Sequence, residues 1–279
     1  MMRLGIWVAV AAAGLLAGVP LPAVSQPAGY RLVNPGYLTV GTYGSGPPVI
    51  VVGPGDTLGG IDGALFNAFV KDHGLKLKLF QTTFSSMILA IEQGKIDVGE
   101  DVFYTAERAK HIYYTYPFFV GHAVLFTAKS LPYSGPDSMT GKKIGTVIGF
   151  VWAPYLQKWS ASGTALYPDM TAVGQALLNG QIQGYINGYT AIHEPPLNDS
   201  PNIVAHTLHA GDFGMPESLL VNTAYNIVNC GNRGLAAALD REITKLHTTG
   251  EWAKVLQANG VGPDADAPLA SPAQICTGG

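Results

Sequence analysis

The sequence predicts an α/β fold in two lobes, in which strands and helices alternate along the chain. Apolar residues recur with a period of two in some stretches and every three or four positions in others, which indicates strands interleaved with helices. This alternating series occurs before residue 102 and again after residue 140. Since strands joined by helices form parallel sheets with helices on their faces, we expect such a sheet in each lobe.

The first series predicts the order β-α-β-α-β. Its first helix places Ile61, Leu65 and Phe69 on one face and ends near Gly74, a plausible helix stop. Ser85 or Ser86 is the candidate N-cap of the second helix. The segments are, in order, the strand YLTVGTY, the helix GGIDGALFNAFVKDHG, the strand LKLKLFQTT, the helix SSMILAIEQG and the strand KIDVGED.

The second series repeats this order, and the chain then returns to helix. Its segments are the strand GKKIGTVIG, the helix APYLQKW, the strand TALYP, the helix TAVGQALLNG and the strand IQGYING. Two further helices follow in RGLAAALDREITKLHTTG and EWAKVLQANG. A ligand of such a fold is expected in the cleft between the lobes, at the carboxyl ends of the strands.

The composition is that of a globular chain with a sizeable core. The 279 residues are 47% hydrophobic and 13% charged, which suffices for one or two domains. The formal net charge is −3, and Lys and Arg are scattered rather than gathered in a basic stripe. Nucleic acid is therefore not an expected partner.

The two cysteines, Cys230 and Cys276, have two possible states. In an oxidising compartment they could form a disulfide that pins the C-terminal tail to the body, and the alternative is two unpaired buried thiols. Neither HExxH nor CxxC occurs, and two cysteines cannot build a typical zinc site by themselves. We therefore expect neither a metal nor another cofactor.

The N-terminus has the layout of a secretory signal peptide over residues 1–25. Arg3 precedes an apolar run that extends to about Leu16, and the breaker VPLP and small residues follow. Cleavage is expected after Ser25, and residues 26–36 are expected to form a loose leader. The alternative is an uncleaved anchor helix, although the run is short for a bilayer span of ~20 residues. The mature protein is thus expected in the periplasm.

Six stretches, in order along the chain, carry a resemblance to a known family. They are LTVGT followed by PP, GGIDGALFNAFVKDHGLK, the stretch from AIEQGKIDVGEDVFYTAER to YTYPF, MTGKKIGTVIG, ALLNGQIQGYI, and LAAALDREITKLHTTGEWAKVLQANG. From about Leu38 to Gly262 the chain resembles the periplasmic amino-acid-binding proteins of ABC importers. These are type II periplasmic binding proteins of the bacterial extracellular solute-binding family 3.

The resemblance implies a two-lobed type II periplasmic binding protein fold with a hinge of two crossing strands. Lobe 1 would comprise residues 37–120 and 217–279, and lobe 2 residues 121–216. The lobes would close on a small-molecule ligand by hinge motion, and the closed form would dock on the membrane permease of an ABC importer. We expect a monomer that leaves its ligand chemically unchanged.

The resemblance implies that Arg108, the arginine of TAER, holds the carboxylate of the ligand. A guanidinium can make a bidentate, charge-assisted bond to a carboxylate in a closed cleft. Thr105 would be the N-cap of a helix that carries Arg108 in its first turn. The alternative is that Arg108 is an ordinary exposed arginine.

Three further positions, Asp101, Phe103 and Gly188, depart from the pattern of the family. Asp101 stands where relatives often have Ser or Gly, and it could bind a ligand ammonium, pair with Arg108 or be a solvated acid. Phe103 stands where relatives commonly have Ser or Thr. Gly188, beside Asn187, stands where the family has the acid that binds the α-ammonium. Either Asp101 replaces that acid or the ligand is not a standard α-amino acid.

Aromatic residues make up much of the remaining candidate site. They are expected to line the cleft together with Val151. The turn that contains Val151, IGFVWAP, lacks the hydroxyl that relatives have there, but it keeps backbone N–H groups that can bind an anion. Aromatic faces and an acid suit a cation or a flat ring, although such aromatics can equally belong to the core. The candidates are Tyr43, Phe84, Phe103, Phe150 and Trp152.

The ligand is therefore expected to be a small carboxylate-bearing solute, an amino acid or a similar compound with aromatic or cationic character. Two alternatives remain on the same scaffold. One is a lyase similar to cyclohexadienyl dehydratases, whose acid would fall near Ala191, where no carboxylate stands; Glu194 is three residues away. The other is a sensor or delivery protein without an importer. Glu194 and its neighbour His193 are either polar cleft residues or loop surface.

Overall fold

A single sheet extends through the molecule, with short helices on its faces. The computed structural model describes residues 29–44 and 46–277. The strands are β1 (Tyr37–Thr42), β2 (Val51–Gly53), β3 (Thr57–Gly59), β4 (Lys76–Gln81), β5 (Val98–Phe103), β6 (Ile112–Ala128), β7 (Ile144–Val147), β8 (Thr164–Tyr167), β9 (Gly184–Gly188), β10 (Ile203–Thr207) and β11 (Val221–Asn229). The helices are α1 (Gly60–Asp72), α2 (Phe84–Glu92), α3 (Ala153–Trp159), α4 (Met170–Leu178), α5 (Arg233–Thr248) and α6 (Glu251–Ala258).

Strand β6 connects the two lobes. It is 17 residues long. Its first part pairs with β11, and its last part pairs with β9 and β10. The sheet order is β4-β1-β5-β11-β6-β9-β7-β8, with β10 also on β6. Strand β6 is thus one of the two crossing strands expected of this two-lobed fold. Strand β11 pairs antiparallel with β5 and with the first part of β6, and the second crossing strand and the residue bounds given for the lobes stay predictions.

The order of strands and helices predicted for each series is confirmed. Within lobe 1, β1 pairs in parallel with β4 and β5, and within lobe 2, β7 pairs in parallel with β8 and β9. Helix α1 buries Ile61, Leu65 and Phe69 against the sheet, as its apolar spacing predicts. The short hairpin of β2 and β3 was not predicted, since strands of three residues show almost no period.

The N-cap of helix α2 differs from the expected one. Helix α2 begins at Phe84, so its N-cap is Thr83, whose hydroxyl accepts a hydrogen bond from the Ser86 N–H at 3.3 Å. Ser85 and Ser86 therefore lie inside the first turn.

The leader is not loose over its described residues, 29–36. Tyr30 and Leu32 are buried in lobe 1, where the Tyr30 ring packs against Phe69. The Val33 N–H donates to the carboxylate of Asp97 at 2.7 Å. The signal peptide and the start of the leader lie outside the described residues. Within the part that the structure describes, no helix has the length and apolar character needed to cross a bilayer.

The C-terminal tail is fixed to lobe 1 by a disulfide between Cys230 and Cys276, the first of the two expected states. The Cys276 N–H donates to the Ala109 carbonyl at 2.7 Å, next to Arg108. The Gln274 amide both donates to and accepts from the backbone of Tyr114. The tail thus holds the turn that carries Arg108.

Two acids, Asp62 on α1 and Glu100 on β5, are fully buried in lobe 1. Glu100 accepts a hydrogen bond from the Tyr43 N–H at 3.3 Å, whereas neither carboxyl oxygen of Asp62 has a hydrogen-bond partner among the described residues. Burial, and then the charge of Asp101, raise the pKa of Glu100 well above its usual value. Burial, and then the charge of Glu100, do the same to the pKa of Asp62.

The disulfide closes a long loop, so its removal should destabilise the fold. We expect the double variant Cys230→Ser/Cys276→Ser to lose about 2–4 kcal/mol of unfolding free energy, because cross-links of this kind restrict the unfolded chain. Urea titrations of both proteins measure the loss. Reductant should bring the wild-type midpoint to that of the variant and leave the variant unchanged; equal midpoints under oxidising conditions would contradict the prediction.

The buried acid pair should make stability fall as the pH rises. A carboxyl whose pKa is higher in the folded than in the unfolded chain stabilises the fold when protonated, and this stability is lost above the unfolded pKa. We therefore expect Asp62→Asn to gain unfolding free energy relative to wild type between pH 5 and pH 9, measured by urea unfolding.

The matched control is Asp72→Asn, on the same helix. A hydrogen bond from Lys245 lowers the pKa of the exposed Asp72, so Asp72 is ionised at both pH values. This variant should differ from wild type by the same amount at pH 5 and pH 9. Parallel pH profiles for wild type and Asp62→Asn would show that Asp62 is not held protonated.

Candidate functional site

A cavity lies between the lobes, at the carboxyl ends of β1, β5, β7 and β9. This is the position expected for a ligand of such a sheet. Nine of the ten candidate residues line it: Tyr43, Phe84, Asp101, Phe103, Arg108, Phe150, Val151, Asn187 and Gly188. Trp152 is the exception. The wall also includes residues that the sequence did not single out as ligand contacts, among them Met170, Tyr189, Thr190 and Glu194.

Aromatic rings from both lobes meet at one side of the cavity. The Phe84 ring lies 5.0 Å from the Tyr43 ring and 5.0 Å from the Phe150 ring, edge to face in both cases. Phe150 belongs to the turn after β7, and the other two rings belong to lobe 1. The Ser85 hydroxyl also donates to the Ile148 carbonyl at 3.3 Å. The lobes are thus in contact, and the cleft is closed.

Arg108 is held at the closed cleft by groups from both lobes. The Thr105 hydroxyl accepts the Arg108 backbone N–H at 3.1 Å, as an N-cap does, although a single 3₁₀ turn, Arg108–Lys110, stands in place of the expected helix. The guanidinium donates to the Phe103 carbonyl at 2.8 Å and to the Gly149 carbonyl, and it lies 5.0 Å from the centre of the Phe84 ring. A guanidinium has five N–H donors, so these two bonds do not exhaust its capacity for a carboxylate.

Asp101 faces the cavity because the backbone of β5 bulges there. Val102 pairs with Tyr225 and Gly99 with Ile227, so two residues of β5 oppose one of β11. Asp101 has a φ of 47°, in the left-handed region. Asp101 and Glu100 therefore point to opposite sides of the strand, as alternation predicts, and Glu100 points into lobe 1.

Among the described residues, the Asp101 carboxyl has one hydrogen-bond partner, the Tyr43 hydroxyl. The Tyr43 hydroxyl lies 3.0 Å from the Asp101 carbonyl and 3.2 Å from its carboxyl, and can donate to either. Burial raises the pKa of Asp101 to about 6, and the bond from Tyr43 opposes this rise. Asp101 can therefore bind a cation, since it is ionised at neutral pH.

Glu194 is the polar residue of the cavity whose role sequence reasoning left open. It follows the 3₁₀ turn Tyr189–His193 after β9 and is only 8% exposed. Burial, followed by the charge of Asp101, raises its pKa to about 8. Of the two interpretations left open for His193 and Glu194, the cleft position applies to Glu194. The His193 ring instead bonds to Asp199 at 2.6 Å, with both side chains exposed.

Trp152 lies behind the cavity wall rather than on it. Its side chain is fully buried, and the indole N–H donates to the Leu219 carbonyl at 3.1 Å. The ring packs edge-on against Phe103 and Phe150, at 5.8 Å and 5.6 Å. It therefore positions two rings that do line the cavity, because its own polar atom is satisfied on the far side.

The polar groups of lobe 2 near the cavity are largely engaged by the protein itself. The side-chain oxygen of Asn187 accepts a hydrogen bond from the Gly188 N–H at 2.8 Å, and the side-chain NH₂ of Asn187 donates to the Tyr185 hydroxyl. In the turn after β7, the Phe150 N–H donates to the Val147 carbonyl at 3.1 Å. Fewer backbone donors than expected are thus free at the cavity wall, to which Arg108 contributes its guanidinium.

The site holds one guanidinium, two carboxyl groups and aromatic walls. Among the described residues, no cluster of three or more His, Cys, Asp or Glu side chains could hold a metal ion. Such an arrangement can bind a small molecule that carries both a carboxylate and a cationic group.

Solved structures with the same fold include proteins that bind amino acids. A mutant of ArgBP from T. maritima has a TM-score of 0.70 at 19% identity and covers 81% of this chain and 95% of its own. A periplasmic binding protein of Salmonella typhimurium with high arginine specificity has a TM-score of 0.70 at 21% identity, with 80% and 98% covered. A histidine kinase sensor domain similar to periplasmic binding proteins has a TM-score of 0.70 at 18% identity, with 83% and 98% covered.

The sequence itself also matches a family. A comparison with the curated proteins finds no match. The profile of the bacterial extracellular solute-binding proteins, family 3, matches residues 38–260. Because this match covers most of the chain, the two-lobed protein belongs to family 3 of the bacterial extracellular solute-binding proteins.

Proposed function

We propose that this protein captures a small carboxylate-bearing solute in the periplasm and delivers it to the permease of an ABC importer. The ligand is an amino acid or a similar compound, and the lobes close around it as a monomeric receptor. The observation that carries the proposal is the guanidinium of Arg108, held at the closed interface of two lobes. The protein binds its solute and releases it unchanged.

The position of Arg108 supports both capture and closure. Its guanidinium donates hydrogen bonds to the Phe103 carbonyl of lobe 1 and to the Gly149 carbonyl of lobe 2. A carboxylate that binds the guanidinium therefore lies where both lobes can contact it. A bidentate bond between these two groups is among the strongest that a side chain makes, and it is stronger where water is excluded.

The remaining wall supports a cationic group at the other end of the solute. The aromatic rings of Tyr43, Phe84 and Phe150 surround one side of the cavity. A cation over such a face gains ~0.5–2 kcal/mol. The carboxylate of Asp101 lies beside the hydroxyl of Tyr43 and supplies the opposite charge. The high arginine specificity of the similar Salmonella typhimurium periplasmic binding protein agrees with a solute of this kind.

A second candidate function is a lyase on the same scaffold. The specific observation is the carboxyl of Glu194, which borders the cavity and has a pKa of about 8. A carboxyl that keeps its proton at neutral pH can act as a general acid toward a leaving hydroxyl. Incubation of the bound solute with the protein, followed by mass spectrometry, separates the two functions: a binding protein returns the solute with unchanged mass.

Removal of the guanidinium should abolish most of the affinity for carboxylate solutes. We expect Arg108→Ala to weaken binding of L-arginine or L-glutamine, whichever binds wild type, at least ~30-fold, because truncation leaves a buried charge unpaired. Isothermal titration calorimetry measures the change. Arg108→Lys should lose less, since an ammonium keeps the charge without the planar fork.

The matched control is Lys110→Ala, two residues away. Lys110 pairs with the exposed Glu107 at 2.5 Å and does not border the cavity. The affinity of the Lys110→Ala variant for the same ligand should stay within threefold of wild type. Equal affinities for Arg108→Ala and wild type would remove Arg108 from the site and with it the support for a carboxylate solute.

A further inference from the structure

Glu194 is the second acid of the cavity, and it comes from the opposite lobe to Asp101. We propose that Glu194 and Asp101 together form a cation-binding subsite that selects solutes with a guanidinium or ammonium group on the side chain. This inference deepens the proposed function and rests on it. It assigns the specificity of the site to a residue outside the stretches that resemble the family.

Glu194 is an acid that is buried at the wall of the cavity. Its side chain is 8% exposed, and no side chain or backbone group of the described residues donates a hydrogen bond to its carboxyl. A buried carboxylate without a partner is strongly unfavourable. Its carboxyl borders the cavity, so a cationic group bound there would supply the missing donors.

The space for this carboxyl is provided by lobe 1. Gly46 lies so close that a Cβ atom at this position would be 2.0 Å from the carboxyl carbon of Glu194. Any other residue at position 46 would displace the acid. Since Gly46 precedes β2 and Glu194 follows β9, the contact exists only when the lobes are closed. Closure therefore brings Glu194 into the subsite.

The two acids oppose closure unless a positive charge joins them. The charge of Asp101 contributes to the raised pKa of Glu194. The phenols of Tyr43 and Tyr185 interact with Glu194, and burial raises their pKa values, so they stay neutral at physiological pH. The buried carboxyls of Glu100 and Asp62 interact with Asp101 from inside lobe 1, and burial raises both of their pKa values well above the usual range. In the empty closed cleft, a proton on Glu194 relieves the repulsion. A bound cation relieves it without the proton.

The charge count of the site defines the ligand class. Arg108 contributes one positive charge, and ionised Asp101 and Glu194 contribute two negative charges. One carboxylate and two cationic groups on the ligand make the closed cleft neutral, which is the charge pattern of a basic amino acid. A neutral ureido group in the same place would leave the charge of Glu194 uncompensated.

The test compares ligands that differ only in this charge. L-Arginine and L-citrulline have nearly the same shape, and agmatine keeps the guanidinium but lacks the carboxylate. We expect wild type to bind L-arginine at least tenfold more tightly than L-citrulline by calorimetry. Glu194→Gln, which keeps the size of the side chain, should lose at least tenfold for L-arginine and less than threefold for L-citrulline.

A matched control and a second readout accompany these titrations. Asp199→Asn alters an exposed acid five residues away, on the same loop, and should bind L-arginine as wild type does. At pH 7, L-arginine should release a proton from Glu194 in wild type, so its observed binding enthalpy should depend on the ionisation enthalpy of the buffer. This dependence should shrink in Glu194→Gln, and wild-type affinity should rise between pH 6 and pH 9.

Agmatine distinguishes failure of this inference from failure of the proposed function. Its binding should weaken in Glu194→Gln and be unchanged in Arg108→Ala, and that result supports the subsite by itself. If wild type binds L-arginine and L-citrulline equally and Glu194→Gln changes neither, the subsite is wrong while carboxylate capture stands. If wild type binds none of the three compounds, both proposals are wrong.

Discussion

Closing the cleft removes charged groups from water, and the rest of the structure depends on how each charge is compensated. Arg108 finds two backbone carbonyls, one from each lobe, and the face of Phe84. Asp101 finds the hydroxyl of Tyr43. Glu194 finds no donor among the described residues. Because an unpaired buried charge is far less favourable than a paired one, Glu194 is the group that a cationic solute of the proposed class would compensate. The aromatic contacts between the lobes fix the shape of the closed cleft.

Much of the fold could be predicted because its elements have clear periods. The order of strands and helices in both lobes follows from apolar spacing and from turns at glycines, and the structure confirms it. The hairpin of β2 and β3 could not be predicted, since three residues carry no period. The packing of residues 29–36 depends on a distant partner, because Asp97 accepts hydrogen bonds from both Val33 and Thr39. Contacts of this kind leave no local pattern in the sequence.

The candidate site was predicted best where its residues end strands. Asp101 and Arg108 lie in a stretch that resembles the family, and strand ends meet at one edge of a sheet. Trp152 was expected in the cavity, but a ring in a turn can face either side, and the Leu219 carbonyl decides its direction. Glu194 lies in an irregular loop, where no period indicates a direction, so only the folded chain shows that it meets Gly46. An acid a few residues after a strand that ends at the cleft was the one available signal.

The buried indole of Trp152 has an optical consequence. Its ring contacts Phe103 of lobe 1 and Phe150 of lobe 2, and its N–H is bound to the chain just before β11. Separation of the lobes must break the contact with Phe103 and admit water to the ring. Trp159, by contrast, packs against Phe213, and Trp252 is buried in lobe 1 with its N–H on the Phe118 carbonyl. The emission of one native tryptophan therefore follows the opening and closing of the cleft without any attached dye.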